Sequence, residues 1–304
     1  MQTEAREEAV AEGREAKGGA EADAEAIPEA PRPGLRYLHP VTRTLRALPT
    51  LLRVGFSDAV AYRAELLIWF LSTNLSLVMM ALWTAVARDA PVGRFEQRDF
   101  VAYFLAALFV RLLSGAWVLW EANMEIRQGT LAFRLLRPIH PLVHYAAENV
   151  AAMPLRFASA APVLLVLVVV AGDRVTRDPV LLAAFPVALL GAWLITFLAM
   201  SAIAALAFWI DSATSIGQVW FGLFSVFSGY LVPLELFPAP LAAAARWLPF
   251  RYMLGAPVEL LVGTGGRGPA LTDLGAQWAW VGALGLLAAW AWRVGIRRYS
   301  AFGG

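Results

Sequence analysis

The three histidines, His39, His140 and His144, are the first residues to weigh as bases or metal ligands. His140 and His144 stand at i,i+4, a spacing that sets two imidazoles on one helix face, but Pro141 lies between them and no H-E-x-x-H pattern surrounds them. No metal site is expected. A nucleophile elbow, G-x-S-x-G, does not occur, and the chain has no cysteine, so thiolate ligands and disulfides are excluded. A phosphate-binding P-loop needs G-x-x-x-x-G-K-[ST], with the lysine reaching the terminal phosphates. Lys17 is the only lysine, and Arg14-Glu15-Ala16-Lys17-Gly18 does not fit that pattern. The run Gly263-Thr264-Gly265-Gly266-Arg267-Gly268 has neither the lysine nor a preceding strand. The expectation is therefore a chain with no catalytic residue and no cofactor of its own. If ATP drives it, another chain must hydrolyse that ATP.

Three other groups of residues could carry function. The stretch Asn123 to Pro138 is basic and amphipathic: Ile126, Leu131, Leu135 and Leu136 can form an apolar ridge, leaving Arg127, Arg134 and Arg137 available to a partner. A helix of that profile fits a groove on a soluble protein, although a loop that merely fixes orientation would have the same composition. From Pro233 to Arg267, apolar runs alternate with Pro233, Pro238, Pro240, Pro249 and Pro257 and carry Glu235, Arg246, Arg251 and Glu259. Short helices that dip into the outer leaflet and return would satisfy both features; a folded outer loop is the alternative. Finally, Arg111 and Arg156 fall inside apolar stretches, where a charge costs at least ~2.5 kcal/mol and must face protein or water. An Arg156 to Glu121 pair is expected, as a structural contact in preference to a substrate contact.

The elements that would position these residues follow from composition. Hydrophobic residues make up 59% of the 304, charged residues only 16%, and 12 are tryptophan; mean hydropathy is +0.60. Several apolar stretches reach the roughly 20 residues that cross a ~30 Å hydrocarbon layer. The spans drawn are Leu66 to Ala87, Phe100 to Trp120, Val150 to Ala171, Val180 to Ile210, Ile216 to Val232 and Leu274 to Trp292, with Pro186 as the candidate break in the fourth. Residues 1–34 are rich in Glu, Ala and Gly and read as a disordered acidic cytoplasmic tail without a secretory signal. Residues 35–65 interleave arginines with Leu, Val, Phe and Tyr, the pattern of an amphipathic helix lying in the membrane interface, with Pro49 bending it or starting a new helix. Residues 66–304 form the six-span domain.

Arginines concentrate in the 36–63 segment, in the link with Arg127, Arg134 and Arg137, and at Arg293, Arg297 and Arg298. That side is expected to be cytoplasmic, which puts both termini there. The sequence pI of about 9.1 thus reflects span-flanking arginines and does not imply nucleic acid. Trp83, Trp117, Trp120, Trp209, Trp278 and Trp292 fall near span ends, where interfacial anchors belong.

Gly129 to Pro138, a glycine followed by a leucine-rich stretch ending in Leu-Leu-Arg-Pro, resembles the first cytoplasmic loop of ABC-2 type permeases, especially an uncharacterised bacterial branch. Phe227-Ser228-Gly229-Tyr230-Leu231-Val232-Pro233-Leu234-Glu235-Leu236-Phe237-Pro238, followed by Trp247-Leu248-Pro249-Phe250, resembles the family's late signature at the outer end of the fifth span. The ending Arg298 to Gly304 is also similar, so the likeness runs from about Arg36 to Gly304. It implies an all-α integral membrane fold: six transmembrane helices, an N-terminal interfacial helix, and re-entrant helices between the fifth and sixth spans. It further implies a permease subunit of a bacterial inner-membrane exporter, paired with an identical or related permease. The partner that binds ATP and Mg would be a nucleotide-binding subunit. By this resemblance Glu125, Arg127, Gly129, Leu131, Arg134, Leu135, Leu136, Arg137 and Pro138 form the ATPase-coupling loop. Ser228, Gly229, Pro233, Glu235, Pro238 and Pro249 belong to the re-entrant region, while Arg111, Glu121 and Arg156 are intramembrane charges. The rival reading is a non-transporting membrane scaffold or membrane-embedded enzyme whose link recruits a cytoplasmic partner. The substrate is not legible.

Overall fold

A computed structural model describes residues 40–61 and 75–299. The expected acidic tail, the start of the first span and the end of the C-terminal motif lie outside those residues. Among the described residues the structure is helical and contains no strand. The helices are α1 (Pro40–Ala61), α2 (Leu75–Val86), α3 (Gln97–Ser114), α4 (Val118–Gln128), α5 (Leu131–Leu135), α6 (Pro141–Ala151) and α7 (Met153–Ala171). They continue with α8 (Pro179–Ala205), α9 (Ala213–Phe227), α10 (Ala239–Arg246), α11 (Pro249–Met253), α12 (Gly255–Val262) and α13 (Arg267–Arg298).

Four helical paths are long and apolar enough to cross a membrane: Gln97–Gln128, Pro141–Ala171, Pro179–Phe208 and Arg267–Arg298. At 1.5 Å per residue, the 32 residues of α13 reach about 48 Å. The first and fifth expected spans correspond to shorter apolar helices, Leu75–Val86 and Ala213–Phe227. α9 stops before the expected Val232 because Ser228 and Gly229 turn the chain, Gly229 at φ +87°. A side chain there would be strained and would collide with Tyr103 Oη, which donates to Gly229 O at 2.8 Å.

Proline does not break helices where the sequence suggested it would. α1 runs through Pro49 and α8 runs through Pro186. In an apolar helix the other backbone bonds hold and packing neighbours support the freed carbonyl. The interruption falls elsewhere, in the second span, where Gly115, Ala116 and Trp117 separate α3 from α4. Arg156, only 5% exposed, donates through Nη1 to the Gly115 carbonyl that this break frees. Arg156 Nη2 lies 3.5 Å from Asn149 Oδ1. The expected Arg156 to Glu121 pair is therefore corrected: the broken backbone supplies Arg156 with an acceptor, and Glu121 binds a different arginine. The Arg111 guanidinium lies over the Phe224 ring at 5.4 Å.

α13 packs along α8, α7 along α3 and α2 along α3. One apolar core, containing Phe100, Tyr103, Phe104 and Leu113, fills the end where α3 begins. A second, around Leu119, Leu131, Tyr145, Met200 and Trp292, fills the end where α4 and α13 finish. Trp292 is therefore no interfacial anchor. It is fully buried, donates from Nε1 to Ser201 O at 2.8 Å, and meets Phe208 edge-on and Tyr145 at a tilt. His140 serves as N-cap of α6, accepting from Leu142 N–H, with Pro141 next at the position where its missing N–H is harmless.

Candidate coupling surface

The stretch expected to meet a partner is not one helix. α4 ends at Gly129, whose φ of +77° forms a left-handed cap with its N–H on Ile126 O. The short α5 then doubles back. Tyr299 Oη, at the far end of α13, donates to Gly129 O at 2.6 Å and ties the turn to the C-terminal end of the chain.

The turn brings Arg134 into a cluster of acids. Its Nε lies 2.9 and 2.8 Å from the two oxygens of Glu125, Nη1 donates to Glu148 Oε1 at 2.8 Å, and Nη2 donates to Glu121 Oε1 at 2.5 Å. The guanidinium also stacks on Tyr145, 4.4 Å from the ring centroid, while Tyr145 Oη donates to Glu125 Oε2 at 2.6 Å. Burial alone would lower the Arg134 pKa, but its bonds to Glu125 and Glu148 raise it above the ordinary arginine value. The side chain is thus a permanent cation, 13% exposed, pinning α5 to α4 and α6. Arg134 is not available to a partner, contrary to the composition-based expectation, because all three of its guanidinium nitrogens are engaged by carboxylates.

The apolar ridge also divides. Ile126 and Leu131 are buried and Leu135 packs against the same core, whereas Leu136 is 83% exposed. Phe133, which composition did not single out, is 69% exposed beside it. Arg127, Arg137 and Pro138 are exposed as well. The surface this turn offers is therefore Phe133 and Leu136 flanked by Arg127 and Arg137. The cluster beneath had a readable signal. Glu121 and Glu125 share a face at i,i+4, as do Tyr145 and Glu148 at i,i+3. Only the fold could bring those two faces to Arg134.

At the opposite end, Arg94 binds Glu235 through Nε and Nη2, both at 2.5 Å, and donates to Thr264 O at 3.2 Å. This joins the α2–α3 loop to the 3-10 turn Leu234–Leu236. Ser228 and Pro233 are buried, Pro238 precedes α10, and buried Pro249 opens α11. Arg251 binds both oxygens of Glu259, at 3.0 and 2.7 Å, and Asp273 at 2.8 Å. Burial would lower the Arg251 pKa, yet Glu259 and Asp273 raise it; burial also pushes Glu259 upward against the pull of Arg251.

Neither end presents the elements of a P-loop among the described residues. A comparison with curated proteins finds no match. The profile of the family described as "ABC-2 family transporter protein" matches residues 66–303. That match takes in the broken second span, the Arg134 turn and the Arg251 region together. It implies a multi-pass membrane component that works with an ABC ATPase subunit and is not itself the ATPase. The chain belongs to the ABC-2 transporter family.

Proposed function

We propose that the chain is the permease subunit of a bacterial inner-membrane ABC exporter, with the Arg134 end in the cytoplasm and both termini there. In this reading six spans cross the bilayer: the four long helical paths, one containing α2 and one formed by α9. Residues 1–34 are a cytoplasmic acidic tail, residues 35–65 an interfacial helix, and residues 66–304 the membrane domain. α10, α11 and α12 dip into the outer leaflet and return. The family's use of an ATPase supports the partnership; the family resemblance supports the direction of transport.

The observation that carries the reading is the pairing of an exposed Phe133 and Leu136 with a part-buried Arg134 clamp. An apolar tip flanked by Arg127 and Arg137 suits a groove with an acidic rim on the nucleotide-binding subunit, where ATP and Mg are held. When that subunit moves, the tip moves with it, and the clamp passes the displacement to α4 and α6 instead of letting α5 bend away. α4 and α6 continue as two spans. The break at Gly115 to Trp117 gives the first of these a hinge, with Arg156 holding the freed carbonyl. A second permease, identical or related, completes the path within the lipid bilayer.

The test is a mild-detergent pull-down of the tagged full chain from its own membrane, with ATPase activity assayed on what is recovered. Recovery of a P-loop ATPase from the parent chain, lost in the Arg127→Glu/Arg137→Glu double variant, is expected. Recovery of the intact chain without any ATPase, under conditions that preserve other transporter complexes, would favour a scaffold.

A further inference from the structure

A cleft opens beside Arg251. Its outer part, about 560 Å³, is lined by Glu235, Arg246, Arg251, Glu259 and Asp273 among others. A second space of about 1020 Å³ shares Arg246, Arg251, Pro269 and Asp273 with it and is otherwise lined mainly by Ala276, Ala279, Trp280, Ala283, Tyr252 and Trp247. The two form one passage, charged at one end and apolar at the other.

The passage follows α13. Pro269, Asp273, Ala276, Trp280 and Ala283 recur every three or four residues, so they lie on one helix face. The 14 steps from Pro269 to Ala283 rise about 21 Å, more than the ~15 Å depth of one hydrocarbon leaflet. Alanines there keep the wall low, and Trp280 and the 83% exposed Trp247 form its sides. Such a wall packs against an alkyl chain.

The charged end has opposite signs in separate places. Arg251, 9% exposed, is held between Glu259 and Asp273, and its Nε has no hydrogen-bond partner. Glu235 is taken by Arg94. Arg246 stands exposed at the end of α10, where its carbonyl accepts from Tyr252 Oη at 2.7 Å, and it lines both parts of the cleft. Asp273 keeps part of its carboxylate at the surface, 25% of the side chain being exposed. The remaining formal charges, Arg246 and Arg251 against Glu259 and Asp273, balance. A ligand with one sign would leave the other unpaired, whereas a headgroup carrying both signs satisfies them together.

We infer that this cleft binds a lipid-like amphiphile with a zwitterionic headgroup, its phosphate at Arg246, its amine at Asp273 and one chain along the Ala276 to Ala283 face of α13. The inference rests on the outer-leaflet placement proposed above. A second copy of this chain is a poorer occupant, since a packed helix would strip water from Arg246 and Asp273 without pairing them.

The chain has no cysteine, so a single introduced thiol is unique. The full chain is placed in nanodiscs with photoactivatable phosphatidylethanolamine bearing a diazirine in its acyl chain, and adducts are mapped by peptide mass spectrometry. Expected are adducts concentrated between Ala276 and Ala283, at least fivefold fewer in the Arg246→Ala/Asp273→Asn double variant, and fewer with phosphatidylglycerol. Soluble phosphoethanolamine should not compete; competition would assign the cleft to a free phosphate and overturn the lipid. Adducts spread evenly over Leu286, Trp290 and the other outward residues would overturn it too. So would efficient disulfide formation between two copies of Ala279→Cys. In whole cells, Thr264→Cys should react with an impermeant maleimide. Protection of Thr264→Cys defeats the outer placement itself, whereas a reactive Thr264→Cys with unselective lipid labelling defeats the amphiphile site alone.

Discussion

Two ion-paired arginines, the part-buried Arg134 and the buried Arg251, hold the opposite ends of this molecule by different means. Arg134 faces three carboxylates and a tyrosine ring, supplied by α4 and α6. Arg251 faces two carboxylates, from α12 and α13, and leaves one N–H without a partner beside a cavity. The first arrangement has surplus acid and engages all three guanidinium nitrogens, which suits a clamp. The second balances in charge only when the exposed Arg246 of the same cleft is counted, and it is open on one side, which suits a site.

The largest effect that separates the two is expected from removing the cations. Arg134→Met should cost about 3–5 kcal/mol, because three acids would then crowd one another without a counter-ion. Arg251→Met should cost roughly 1 kcal/mol less, since Asp273 can turn toward water. Thermal unfolding of both variants in nanodiscs checks this; equal losses would erase the distinction between clamp and site.

The acids around Arg134 should rank in turn. Glu125 binds Arg134 and also accepts from Tyr145, so Glu125→Gln should cost about 1–3 kcal/mol. Glu121, 31% exposed on its side chain, meets Arg134 through a single oxygen, and Glu121→Gln should cost under about 1 kcal/mol. The same unfolding measurement on the two single variants tests the ranking, and a reversal would mean that Glu121 anchors the clamp.

At the far end, Gly229→Ala should lose about 1–3 kcal/mol, from its positive φ and from displacement of the Tyr103 hydroxyl. Tyr103→Phe should lose less, about 1 kcal/mol, since it removes one hydrogen bond without straining the backbone. If both cost the same, the turn tolerates a side chain and the close approach of α9 to α3 is less tight than it looks.

The smallest effect on stability should come from the coupling surface. Phe133→Ala with Leu136→Ala should leave the unfolding midpoint within about 0.5 kcal/mol of the parent, both side chains being exposed. ATPase recovery in the pull-down should nevertheless fall at least tenfold. Loss of stability with ATPase still bound would make the two residues part of the fold and not of an interface.

Several parts of this picture were legible from residue types alone. Apolar runs of sufficient length specify a helical membrane protein, because lipid forces backbone groups to pair within a helix. The Leu-Leu-Arg-Pro stretch and the Gly229 to Pro249 signature pointed to the family whose profile matches residues 66–303. Four of the expected spans correspond to helical paths long and apolar enough to cross a membrane. What periodicity could not give is which side of a turn faces inward. Arg134, Arg127 and Arg137 are equivalent as letters, and Leu131 and Leu136 equally apolar, yet Gly129 reverses the chain so that Arg134 and Leu131 enter the protein while Leu136 and Phe133 leave it. The break at Gly115 was hidden for a related reason. A helix interruption inside lipid is stable only when another element satisfies its open carbonyl, and the element that does so, Arg156, lies far along the chain. Sequence thus determined which segments prefer lipid and which family they belong to. Tertiary structure decided which charges are spent on one another and which remain for a partner, because pairing depends on distances between helices that local sequence does not encode.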